Sequence, residues 1–237
     1  GSQFCGSQVQ DNERTVQGEL DKVLNQFMGL KGSWFTNSSI IESSFSSRTD
    51  AGVHALGQIV NFKLDRRIPE ADTNPDKILI ALNSQLAEDM TVTRIKEVPL
   101  EFHARFNAKS REYLYKIFIR RHRPVLRLDS LMWQKEPLDY QRMAKQAQSY
   151  IGTHDFSNYS QSETPSSNTI CTVLESELIK ESEICYKYRI KANRFLRHMV
   201  RRIVGELIQV GKGLDSSEDT CKQSVPASGL TLVKVEY

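Results

Sequence analysis

An α+β fold is predicted for this chain by three observations. Several stretches alternate apolar and polar residues with period two, the pattern of half-buried strands. Others repeat apolar residues every three or four positions, the pattern of amphipathic helices. The two kinds are mixed along the chain without the strict strand–helix alternation that a parallel sheet would need.

The elements follow in order. Val16, Leu20, Val23, Leu24 and Phe27 recur at helical spacing. Ile59 to Leu64 has strand character, with Val60, Phe62 and Leu64 on one face. Asn74-Pro75 marks a helix start with proline at the first helical position, and Ile78, Leu82 and Leu86 supply its buried stripe. Arg111 to Ile119 is a predicted strand whose Tyr113, Tyr115, Ile117 and Ile119 share a face. Asp139 is placed to cap a helix with Met143, Ala147 and Ile151 inward. The polar stretch from Ser160 to Ser167, with Pro165, is expected to be a loop. Cys185 to Ala192 alternates, with Tyr186, Tyr188 and Ile190 on one side. Phe195 to Val210 is the strongest helix signal, with Phe195, Met199, Ile203 and Leu207 inward and Arg194, Arg197 and Arg201 on another face. Leu230 to Tyr237 forms a closing strand. Arg105 to Ser110 is the expected crossing between two halves, giving subdomains 1–107 and 108–237.

Composition narrows the class. With 39% hydrophobic and 26% charged residues, the 237-residue chain has the make-up of a globular protein. It contains no apolar run long enough to span a bilayer, and no membrane partner is expected. The formal charge is only +3, but arginines cluster at 120, 121, 123 and 127 and at 194, 197, 201 and 202. Such clusters suit either phosphate contacts or a solvated face. Cys5, Cys171, Cys185 and Cys221 are scattered and form no CxxC pair, so a reducing compartment is the simpler setting. Cys171 and Cys185 fit as small packing residues. The five histidines show no metal-ligand spacing, so no metal is expected.

The chemistry is concentrated in Arg48-Thr49-Asp50-Ala51-Gly52-Val53-His54-Ala55. Gly52 permits a tight backbone path that would bring the acid close to a ligand. Arg48, two residues before Asp50, is the local candidate for a charge-assisted partner. On residue chemistry alone, a surface Arg–Asp pair in a turn is the favoured explanation of the segment.

This octapeptide resembles the RTDAGVHA signature of the TruA family of tRNA pseudouridine synthases. Four further blocks resemble family segments in the same order. They are Phe102-His103-Ala104-Arg105-Phe106 with Arg111-Glu112-Tyr113-Leu114-Tyr115, Gly152 to Ser157, the stretch FLRHMVRRIVG from Phe195 to Gly205, and Gly229 to Val233. The resemblance implies two ferredoxin-like (RRM-like) subdomains sharing a mixed β-sheet, with helices packed on it and a catalytic cleft between them. It implies that Asp50 is the essential carboxylate and that Arg48 pairs with it and fills the space of the flipped base. It implies that Tyr113 stacks on the target uracil and that Arg201 is a second basic partner of Asp50. Arg105, Arg194, Arg197 and Arg202 become candidate contacts to RNA phosphates.

Each role has a plainer alternative: Tyr113 as a core residue, Arg201 as part of a solvated stripe, Arg105 as a brace at the junction. His54, His154 and Asp155 are assigned structural roles, the latter two in a loop. The implied substrate is a tRNA anticodon arm, with uridines at tRNA positions 38 to 40. The implied assembly is a homodimer acting without cofactor in the cytoplasm, or in an organelle or the nucleus of a eukaryote. The family opens with a Tyr-Asp-Gly strand, and Gly1-Ser2-Gln3-Phe4 stands at the end of that element. The segment from Gly211 to Pro226 is shorter than the family's helical insert, and Ser47 stands where glycine is frequent. Two rival functions are a catalytically silent RNA-binding module of the same fold and a hydrolase using Asp50 as nucleophile.

Overall fold

The computed structural model describes residues 1–27, 43–63, 74–125, 129–161 and 168–237. Leu64, Arg127 and Pro165 of the sequence analysis lie outside these residues. The elements are α1 (Val16–Phe27), β1 (Ser44–Phe45), β2 (His54–Ala55), β3 (Val60–Asn61), α2 (Pro75–Asn83), β4 (Ser110–Ile119) and β5 (Met132–Gln134). There follow α3 (Tyr140–Gln148), β6 (Gly152–Asp155), β7 (Ile170–Ser182), β8 (Cys185–Ala192), α4 (Met199–Gly211), α5 (Glu218–Cys221) and β9 (Leu230–Glu236). These residues fall into two compact units. One comprises Gly1, Gln3–Ala51 and Ile59–Asn107; the other comprises Ser2, Gly52–Gln58 and Ala108–Tyr237.

In the first unit, Leu20, Val23 and Leu24 of α1 pack with Ile78 and Leu82 of α2 and with Phe45. Val60, Phe62 and Leu86 join this core as expected. The strand predicted to start at Ile59 is only Val60–Asn61, because its antiparallel partner β1 offers just two residues, Phe45 opposite Val60 and Ser44 opposite Asn61. Asn74 caps α2 through its side-chain oxygen, which accepts from the Asp76 N–H at 2.9 Å.

Burial raises the pKa of Asp21 on α1 to about 6, against the opposing effect of the Ser43 hydroxyl donated to it at 2.6 Å. A carboxyl whose folded pKa lies above its unfolded value binds its proton more tightly when folded. Its contribution is therefore fully present below about pH 4 and lost as pH rises through about 6. Asp21→Asn is expected to flatten this dependence, so that Tm gains less on acidification from pH 7 to 5 than in the parent. Thermal melts across that range check it.

The second unit is built on a seven-stranded mixed sheet in the order β2-β9-β4-β8-β7-β6, with β5 also on β4. The pairs β2–β9 and β4–β5 are parallel and the others antiparallel. Tyr113, Tyr115, Ile117 and Ile119 of β4 and Tyr186, Tyr188 and Ile190 of β8 face the core, as their alternation requires. Met143 and Ala147 of α3 and Met199, Ile203 and Leu207 of α4 fill the same cluster. Ile151 was expected inward but is 47% exposed, because α3 ends at Gln148 and the chain turns before reaching it. Asp139 caps α3, accepting from the Arg142 N–H at 3.1 Å.

The helix predicted from Phe195 begins only at Met199. His198 has φ +63°, a left-handed conformation that cannot extend a right-handed helix. Phe195 and Leu196 still turn inward, but from the bend that precedes α4. Arg194 and Arg197 are therefore exposed ahead of the helix, and only Arg201 belongs to its first turns. His154 and Asp155 stand on β6 rather than in a loop; the Asp155 carboxylate accepts from the Ser157 N–H at 2.9 Å and so starts the turn that follows.

Candidate active site

The first unit carries Arg48, Asp50 and Arg105. The loop bearing Asp50 leaves β1 at Ser46, whose N–H donates to the Ile59 carbonyl at 2.9 Å, so the loop's base is pinned where β1 and β3 pair. Higher in the loop, Thr49 is held on both sides by Ser7. The Ser7 N–H donates to the Thr49 carbonyl at 3.0 Å, and the Thr49 N–H donates to Ser7 Oγ at 2.9 Å. Arg48 is exposed and Asp50 half-buried. Arg105 is exposed with its guanidinium carbon 5.7 Å from the ring centre of Phe106, which is itself 75% exposed.

The second unit carries Gly52, Tyr113, Arg194, Arg197, Arg201 and Arg202. Gly52 has φ +80°, which other residues rarely adopt, confirming the tight path inferred from sequence. Two residues on, His54 and Ala55 pair with Thr231 and Leu232, and His54 Nε2 lies 2.5 Å from the Asp129 carbonyl. This contact is of the kind a structural His54 would make.

Tyr113 is buried in β4 between Ile190 and Leu232 of the neighbouring strands. Its ring meets Phe195 edge-on, with centroids 5.1 Å apart and planes at 88°. Phe195 therefore orients the ring by packing, a role its helical spacing did not reveal. Arg201 is half-buried: its Nε donates to the Val225 carbonyl at 2.8 Å, and Nη1 lies 3.3 Å from His198 Nε2. Its charge opposes burial in setting the ionisation of Tyr115, though burial wins and raises the phenol's pKa. Tyr115 remains a donor, bonding the Pro226 carbonyl at 2.7 Å. Gly229 is required beside it, since a Cβ there would come 2.6 Å from the ring.

Arg202 is held by the Asn158 and Ser160 carbonyls at 3.2 and 2.6 Å. One turn on, the buried carboxylate of Glu206 accepts the Tyr150 and Tyr159 hydroxyls at 2.5 Å each, and that of Ser216. Burial raises the pKa of both phenols, which keeps them donors. This network, which ties α4 to the 157–160 turn, was not foreseen, because a lone glutamate in a helix gives no sign that its partners lie far along the chain. Among the described residues no group of His, Cys, Asp and Glu is placed to hold a metal ion, and no helix is long and apolar enough to cross a membrane.

A family model described as tRNA pseudouridine synthase matches residues 1–107 and 146–237. The chain belongs to the tRNA pseudouridine synthase family. This family of isomerases includes the tRNA pseudouridine synthase A of Halalkalibacterium halodurans, 39% identical over 94% of this chain and 79% of that protein. The tRNA pseudouridine synthase A of a Geobacillus species is 34% identical over 100% of this chain and 94% of its own length. The tRNA pseudouridine synthase A 2 of Bacillus cereus is 35% identical, covering 100% and 96%. Asp50, Arg48 and Arg201 fall within the pseudouridine synthase match; Tyr113 lies in the stretch 108–145 outside it, but inside the alignments that cover the whole chain.

Proposed function

We propose that the protein converts uridine to pseudouridine in the anticodon arm of tRNA, at positions 38 to 40, with Asp50 as the essential carboxylate. The observation that carries the reading is the five-block resemblance centred on Arg48-Thr49-Asp50, together with full-length kinship to proteins named tRNA pseudouridine synthase A. Within the reading, Arg48 and Arg201 are the basic partners of Asp50, and Tyr113 stacks on the uracil. Arg105, Arg194, Arg197 and Arg202 meet the RNA backbone. Two ferredoxin-like subdomains with a catalytic cleft between them, a homodimer and a cytoplasmic setting complete the proposal.

The reaction is an isomerisation. The bond from uracil N1 to ribose C1′ breaks, C5 bonds to C1′, and the proton lost from C5 is matched by one gained at N1. The balance requires no oxidant and no water. Asp50 either attacks C1′ or C6, or takes a proton from the ribose. A stacked uridine must first be extracted, at a cost of a few kcal/mol. Stacking on an aromatic ring, worth about 1–3 kcal/mol per base, offsets much of that.

The decisive experiment is incubation with an unmodified tRNA transcript, followed by carbodiimide adduct mapping. Adducts at positions 38 to 40, with no change in RNA mass, are expected. Binding without any adduct would instead favour the silent RNA-binding module, and indifference to tRNA the hydrolase.

Tyr113 provides a second test. Tyr113→Phe is expected to preserve tRNA affinity, so any fall in kcat reports proton transfer by the hydroxyl. Tyr113→Ala should cost roughly 5–150-fold in kcat/KM, the equivalent of one lost stacking contact. Full activity in that variant, in single-turnover assays on folded protein, would remove the stacking role.

A further inference from the structure

The segment Cys5 to Ser7 is locked on two sides. Its carbonyls at Gly6 and Ser7 accept the Val16 and Gln17 N–H groups at 3.2 and 3.0 Å, which fixes it to the first turn of α1. Its other side takes up both polar backbone groups of Thr49. Ser7 is 2% exposed, so water does not compete for these bonds. Gly6, at φ +97°, lets the two backbones approach: a Cβ there would stand 3.0 Å from the Thr49 carbonyl oxygen.

The Thr49 carbonyl and the Asp50 N–H belong to one planar peptide unit. Fixing the direction of that carbonyl fixes the plane from which the Asp50 Cα departs. Ser7 therefore fixes where the Asp50 backbone starts, without bonding to the carboxylate.

We propose that Ser7 is a positioning residue for Asp50: its hydroxyl and N–H, gripping Thr49 from a site anchored on α1, hold the carboxylate in its reactive direction. This rests on the reading of Asp50 as the essential carboxylate. A displacement of about 1 Å at a reacting group costs on the order of 10²-fold in rate. Ser7→Ala, which removes the acceptor for the Thr49 N–H but leaves the backbone bond, is expected to lower kcat by roughly 10-fold or more on that scale. KM for tRNA should stay within about twofold, because no substrate contact is altered.

The test compares the parent, Ser7→Ala, Ser7→Cys, Ser7→Thr and Asp50→Ala at a temperature where each is folded, by single-turnover pseudouridine formation and by amide hydrogen exchange. The Thr49 amide should lose protection in Ser7→Ala. Ser7→Thr, which keeps the hydroxyl, should recover kcat; if its extra methyl prevents folding, Ser7→Cys, with its weak acceptor and similar size, should fall between parent and alanine. Loss of Thr49 protection with unchanged kcat, or a rate loss carried by KM alone, overturns the positioning role while leaving Asp50 essential. Near-parental activity of Asp50→Ala overturns the reading beneath it.

Discussion

Asp50→Ala is expected to reduce pseudouridine formation by roughly 10²–10⁴-fold or to below detection, the range seen when a group acting on a bond-making step is removed. The protein should still fold, because Asp50 is half-buried in a loop and its replacement opens no core cavity. Affinity for tRNA should change by no more than a few-fold, since the arginines proposed to meet the RNA backbone, at 105, 194, 197 and 202, are untouched. Asp50→Asn keeps the shape and loses the charge, so equal inactivity would place the effect in the anion. Carbodiimide mapping of an unmodified transcript, with binding measured on the same preparation, separates loss of chemistry from loss of substrate. Turnover near that of the parent in either variant would dismiss Asp50 as the reacting carboxylate.

Gly205→Ala is expected to unfold the second unit at markedly lower temperature, against the usual direction of this exchange. In an open helix, replacing glycine by alanine gains about 1 kcal/mol. At position 205 of α4, however, the added Cβ would lie 2.0 Å from the Gln223 carbonyl oxygen. Carbon contacts are comfortable only near 3.5–4.0 Å. The chain at 223–225 must therefore move off the helix. It is not free to do so without loss: Gln209 Nε2 donates to Gln223 Oε1 at 2.8 Å, and Val225 N donates to the Arg201 carbonyl at 3.3 Å. Overpacking of this kind costs about 1–3 kcal/mol and at times more. Because backbone is what must yield, the upper end applies, and the net loss is about 2–3 kcal/mol. For a domain of this size that lowers Tm by on the order of 5–10 °C. Calorimetry checks it, and an unchanged or higher Tm would show that the 223–225 segment gives way easily. The same shift would loosen the Val225 carbonyl that holds Arg201, so activity should fall faster than folded fraction.

The parts of the fold that could be foreseen are those governed by local rules. The alternation in β4 and β8 reports burial directly, since one face of each is packed. Asn74 and Asp139 cap their helices because the required acceptor lies within the same few residues. The start of α4 escaped because the apolar spacing runs unbroken through His198, while the conformation that stops the helix is a single backbone angle. Of the candidate site, the acid, the tyrosine and the arginines were visible as motif residues. What holds them was not: Ser7 lies 42 residues from Thr49, and Arg201 is anchored on a carbonyl 24 residues away. Such pairs leave no periodicity. Gly205 and Gly229 stood inside recognised blocks, but the reasons for glycine there, the Gln223 carbonyl and the Tyr115 ring, appear only in three dimensions.

The parallel pairing of His54 and Ala55 with Thr231 and Leu232 has a consequence for how the molecule is made. The stretch just beyond Asp50 finds its hydrogen-bonding neighbour in β9, far along the chain. Closing so long an excursion is entropically slow and awaits the synthesis of β9. Nascent chains arrested before residue 230 would thus leave this stretch without its neighbouring strand, and competence would arise only once β9 has been made.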